Sequence, residues 1–114
     1  MVTTMQVRLN VSNKVYKVLK IYADESQDFV IEHSYKMPLE ELQNHVGGHI
    51  EVIPCVWKGM LRDMIINEEG KLEHLAINQR ATDMHQATRQ FGYIPQADDF
   101  VVGNALVLLN YKLS

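Results

Sequence analysis

The run "MPLEELQNHVGGHIEVIPCVW", Met37 to Trp57, contains a helix, a stop and a strand in direct succession. Pro38 suits a first helical position, where its missing N–H would have no partner in any case. Glu40 and Glu41 follow in the first turn and favour the positive end of the helix dipole. Leu39, Leu42 and Val46 recur at the three-and-four spacing of a buried stripe. Gly47 and Gly48 end the helix, one of them in the left-handed conformation. The residues after them alternate instead. Ile50, Val52 and Pro54 point one way, and Glu51, Ile53 and Cys55 the other. Pro54 has no N–H to donate, so this strand has an edge or a bulge there.

Upstream, Val15 to Tyr22 is rich in β-branched and aromatic residues and reads as a strand; "ADESQD" is a polar turn, and Phe29 to Tyr35 a second, shorter strand. Downstream, "LRDMIINEEGKLEHL" reads as a hairpin. Met64 to Ile66 form one arm, "NEEG" the turn with Gly70 at a positive-φ position, and Leu72 to Leu75 the other arm. Asn78 is a good N-cap. Ala81, Met84, Ala87 and Phe91 follow at helical spacing, and Gly92 stops the helix. Val101, Val102 and Ala105 to Leu109 form a last, central strand, bent at Gly103. The order is β-β-α-β-β-(β)-α-β. The fold class is therefore α+β, a mostly antiparallel sheet with two main helices, and residues 1–114 form a single domain.

Composition narrows the function classes. The chain is 46% hydrophobic and 22% charged with a net charge of −3. That balance argues against DNA or RNA, whose phosphates are met by Lys and Arg. It leaves room for a small anionic ligand in a local basic pocket. The single cysteine, Cys55, sits in an apolar run and reads as a small buried hydrophobe rather than a reactive thiol. "MVTTMQVRLN", Met1 to Asn10, lacks the apolar core of a signal peptide, and no apolar run approaches the roughly 20 residues of a membrane span, so a cytoplasmic protein is expected.

No catalytic or metal motif emerges. His45 and His49 are four apart, but Gly47 and Gly48 interrupt the helix between them, so a shared zinc is not expected. "VGGH" lacks the Gly-Lys-Ser/Thr ending of a phosphate loop and follows a helix rather than opening one. Asp98 and Asp99 are adjacent, and adjacent strand residues face opposite sides, a poor arrangement for paired acid–base work. No cofactor is implied and no enzyme is expected.

The group that raises a question is Asn78, Arg80, Asp83, His85 and Arg89, with Phe91 and Tyr93 beyond it and Arg62 before the hairpin. A helix that begins at Asn78 has free N–H groups at its start. Arg80 lies in that first turn, where a positive side chain opposes the dipole. It needs a carboxylate, for which Asp83 stands at three residues' spacing, or a phosphate-bearing ligand. One reading is a capped helix with a surface ion pair; the other is the lip of a ligand pocket.

"LEELQNHVGGHIEVIP", "INEEGKL", "INQRAT" and "VVGNALVL", in this order and spacing, resemble an uncharacterised domain-of-unknown-function family common in phages, plasmids and gut metagenomes. The resemblance spans Val15 to Leu109. The chain departs from it in having His49 where an aromatic is common, and a longer stretch, His85 to Ala97, before the last strand. The resemblance implies a mobile-element origin. Among phage proteins of similar build are the Thoeris anti-defence sponges, which capture cyclic ADP-ribose-type immune signals. By that analogy the expectation is a non-enzymatic phage protein that sequesters a cyclic nucleotide signal in the host cytoplasm. Arg80 and Arg89 would meet phosphates, Asn78 would cap the helix or read a ribose or base edge, and Phe91 or Tyr93 would stack on the base. A homo-oligomer is expected, because the domain is small and its sheet has an open edge near Pro54. The alternative is a protein–protein interaction module that blocks a host or plasmid protein through the Trp57–Met60 region.

Overall fold

A computed structural model describes residues 14–96 and 99–113. Its centre is a five-stranded sheet in the order β2-β1-β5-β4-β3, in which each neighbouring pair is antiparallel. The strands are β1 (Tyr16–Ile21), β2 (Phe29–His33), β3 (Ile50–Trp57), β4 (Met60–Asn67) and β5 (Ala105–Leu108). Two helices, α1 (Leu39–Val46) and α2 (Gln79–Gln86), complete it, and a 3-10 turn, Ala87–Phe91, extends α2. The α+β class read from the sequence holds.

The helices lie on opposite faces of the sheet. Val18, Ile65, Leu106 and Leu108 pack with Leu42 and Val46 of α1. Ile21, Cys55, Met64 and Val107 pack with Ala81 of α2, and Met84 lies against the same cluster. This explains why β5, "ALVL", is buried at every position: it is central and covered on both faces. The outer strand β3 alternates as expected. Ile53, Cys55 and Trp57 join the α2-side cluster, while Ile50 packs on the α1 side. Pro54 indeed lies on an edge strand. Cys55 is fully buried, and its burial pushes the thiol up to about 12, which leaves it protonated and unreactive at neutral pH.

Helix α1 ends as read, with Gly47 at φ +86 and its N–H on the Gln43 carbonyl. It starts one residue later than expected: Pro38 is the N-cap, extended at ψ 163, and not the first helical residue. The second strand is also shorter, ending at His33 instead of Tyr35.

The hairpin is the larger correction. "NEEG" does not turn between two strands. The turn is Lys58–Gly59, with φ of 49 and 77, and it joins β3 to β4 through the closing pair Trp57↔Met60. Two successive left-handed residues make the turn type that matches the twist of adjacent strands. The parenthetical strand Leu72 to Leu75 is instead a series of turns, in which the Leu75 N–H reaches the Gly70 carbonyl. Asn67 starts it by ending β4, as its side-chain oxygen accepts from Glu69 N at 2.8 Å. Gly70 is needed for room and not for a positive φ: a Cβ there would lie 2.7 Å from Val102 Cγ2.

Candidate functional site

The start of α2 is a structural joint. Asn78 is buried, and its side-chain oxygen accepts from Ala81 N at 3.1 Å. Its amide nitrogen donates to the carbonyls of Ile21 at 3.0 Å and Gly103 at 2.9 Å. The N-cap expectation is correct, but no part of this side chain faces outward to read a ligand. The Asn78 oxygen also fills the end of the helix where an anion was expected.

Arg80 is satisfied by a carboxylate, though not by Asp83. Its Nη2 lies 2.6 Å from Asp28 Oδ1, a close ion pair but out of line for a hydrogen bond, and donates to the Ser26 carbonyl at 3.0 Å. Asp83 instead accepts from Gln79 Nε2 at 2.8 Å. Arg80 thereby ties α2 to the β1–β2 connection, which answers why a cation tolerates the first turn. Arg89 donates to the Pro95 carbonyl at 3.3 Å and secures the loop behind the 3-10 turn. His85 is buried, its Nδ1 hydrogen-bonded to the Pro54 carbonyl at 2.7 Å and its Nε2 3.5 Å from Asp99. Asp99 also holds Lys71 at 3.1 Å. Asp98 and Met1 to Asn10 lie outside the described residues. His45 contacts Lys20 at 3.1 Å. Burial first, then the Lys20 charge, lowers its pKa, so it serves the helix end as a neutral ring and not as a cation. Among the described residues no three His, Cys, Asp or Glu side chains converge to hold a metal ion.

An opening lies at the other end of the sheet. The β4–β5 ladder ends at Met64↔Val107, so Met60 to Asp63 continue β4 without a β5 partner. The Leu109 N–H turns to the Lys17 carbonyl, and the Asn110 side chain accepts from Lys17 N and donates to the Val15 carbonyl. Both draw the chain toward β1 as it leaves the sheet. The gap is a cavity of about 510 Å³, lined by Arg62, Asp63, Tyr93, Tyr111 and Lys112 with Pro54 and Leu109 among its apolar walls. That size suits a small ligand, since such sites run about 300–1,000 Å³.

Arg62 and Tyr93 thus meet at one cavity, whereas Asn78, Arg80, Asp83, His85, Arg89 and Phe91 do not line it. Among the described residues Arg62 has no carboxylate partner. Its Nη1 donates to its neighbour's carbonyl, Leu61 O, at 3.0 Å, Nη2 rests on the Met60 sulfur at 3.4 Å, and the buried Nε has no partner. Asp63 accepts from Leu113 N at 3.1 Å and pins the returning chain. Lys112 and Tyr111 were missed from sequence. Asn110, a polar residue that stops the apolar run of the last strand, was the available signal.

A family model for a domain of unknown function, DUF3846, matches residues 16–111. The chain belongs to the DUF3846 family. No curated protein and no solved structure matches it. The matched span takes in the whole sheet and both helices of this DUF3846 domain and ends at Tyr111, so the strand parting and nearly all of the cavity wall belong to the shared unit.

Proposed function

We propose that this DUF3846 domain is a non-enzymatic binding protein that captures a phosphorylated nucleoside in the cavity between β4 and β5. The observation that carries the reading is Arg62, a cation in the cavity wall with a buried, unpartnered Nε and, among the described residues, no carboxylate within ion-pair distance, the Asp63 carboxylate of the same wall being engaged by Leu113 N. An arginine in that state gains most from a planar or tetrahedral oxyanion, which its donors can meet at several points. Lys112 adds a second positive charge, and Tyr93 and Tyr111 supply aromatic surface for a base. The cyclic ADP-ribose-type immune signals are the instance favoured by the resemblance to mobile-element proteins, which makes the protein a phage-type anti-defence sponge.

The test is thermal unfolding with cyclic ADP-ribose isomers, ADP-ribose and AMP, followed by recovery of the ligand. A ligand at about a hundred times its dissociation constant adds about 2.7 kcal/mol, which raises the melting temperature by several degrees. The expected result is such a shift with a ligand recovered intact, and its loss in Arg62→Ala. Product accumulating over time would make the domain an enzyme. No shift across the panel would sink the reading.

A homo-oligomer remains part of the proposal. The sheet ends at β2 on one side and β3 on the other, and β2 exposes 58% of Phe29 and 45% of Val30. The protein-module alternative is supported by Met60, 54% exposed beside the hairpin turn; Trp57 is only partly exposed, packed against the α2-side core. A stoichiometric protein captured from host lysate would favour that alternative.

A further inference from the structure

Leu61 of β4 also lines the cavity, and its main chain has a distinct state there. In a two-residue hairpin the closing pair, here Trp57↔Met60, exchanges both of its hydrogen bonds. Alternation along the antiparallel pair then turns the backbone groups of Met60, Arg62 and Met64 toward β3. Those of Leu61, Asp63 and Ile65 turn the other way. Ile65 meets Leu106 of β5. Leu61 lies past the point where β5 departs, so its N–H and C=O face the cavity. The carbonyl accepts from Arg62 Nη1. The N–H has no backbone partner outside the strand ladders among the described residues, and no ladder partner on the β5 side.

A strand residue in this state presents a donor and an acceptor on the same side, as it would to a neighbouring strand. A nucleobase edge can present the complement. On adenine a ring nitrogen accepts and the adjacent amine donates. We propose that Leu61 reads the edge of an adenine-type base through its main chain. Its N–H donates to a ring nitrogen. Its carbonyl accepts from the amine once Arg62 has swung to the phosphate. Tyr93 lines the wall against which the base lies. This rests on the reading of the cavity as the site of a phosphorylated nucleoside, and it adds that phosphate and base recognition are coupled through one arginine. Adenosine, with no phosphate to draw Arg62 away, meets a carbonyl that already accepts from Nη1.

The test is calorimetric titration with AMP, ribose 5-phosphate, adenosine and purine riboside 5′-phosphate, which keeps the ring nitrogens but lacks the amine. One hydrogen bond of this kind is worth about tenfold in affinity. The expected order is AMP tightest, purine riboside 5′-phosphate about tenfold weaker, and ribose 5-phosphate weaker again. Leu61→Pro removes the N–H on the side away from β3. With its melting curve showing a folded protein, it is expected to abolish the preference for AMP over ribose 5-phosphate while leaving ribose 5-phosphate binding in place. Equal affinity for AMP and ribose 5-phosphate on the unaltered protein overturns this inference and leaves phosphate capture standing. If neither binds, the reading of the cavity fails and the inference with it. The ligand series decides the matter even if Leu61→Pro does not fold.

Discussion

Asn78 spends its whole side chain on the fold. It caps α2, and its amide bridges the carbonyls of Ile21 and Gly103, which lie 57 and 25 residues away in sequence. The cap was legible, because it depends on the residues that follow directly. The bridge was not, since nothing local names its partners. Asn78→Ala should therefore cost more than a surface cap. Losing the cap and leaving two buried carbonyls short of a donor sums to about 3 kcal/mol or more, readable as a lower urea midpoint. Arg80 teaches the same lesson in reverse. The sequence showed a cation against the dipole and offered Asp83; the fold brings Asp28 instead. The Asp28→Asn variant should loosen the β1–β2 connection, with hydrogen exchange rising at Tyr22 to Ser26. Because that pair is partly exposed, its effect on global stability should stay within about 1 kcal/mol.

At the scale of elements, both helices were legible because their periods are strong and their stops are local; the central strand was legible as an unbroken apolar run, although it begins at Ala105 and Val102 only bridges to Ile77. The hairpin was misplaced for a physical reason. "NEEG" has turn residues between apolar runs, but "WKGM" has the two left-handed positions that a two-residue turn requires, and its flanking residues are equally apolar. Gly59→Val should destabilise the protein by about 1 kcal/mol or more, since a branched residue at φ +77 is strained. Helix α1 carries a pH dependence. His45 has its pKa lowered below the ordinary 6.5 by burial and by Lys20, with His33 adding to the shift and Glu41 opposing it. The unfolded chain therefore takes up a proton at this site before the folded one does. Stability is retained above 6.5 and falls as the pH drops below it. Urea titrations on either side of that value should show the loss, and His45→Gln should reduce it.

At the scale of the whole molecule the questions are where the sheet opens and what it meets. The sheet ends at β2 and β3; His85 meets the β3 edge at the Pro54 carbonyl, and the exposed Phe29 and Val30 make β2 the edge to test. Light scattering should show a dimer or larger assembly in the unaltered protein, and Val30→Lys should lower its mass. A monomer at micromolar concentration would remove the oligomer from the proposal. The cavity belongs to this scale too, because neither β4 nor β5 contains it. It exists only where the two part.

The sequence by itself determined the α+β class, the two helices with their glycine stops and the Asn78 cap, the burial of Cys55, and an edge or a bulge at Pro54, of which the fold took the edge. Each follows from residues within a few positions of one another, through periodicity, a missing donor or a left-handed stop. Tertiary structure alone decided that Asn78 is inside, that Arg80 belongs to Asp28, and that Arg62 and Tyr93 share a wall with Tyr111 and Lys112. Those are meetings between distant segments. They are set by strand order and by the point at which β5 turns toward β1, and local chemistry carries no record of which backbone edge will be left open.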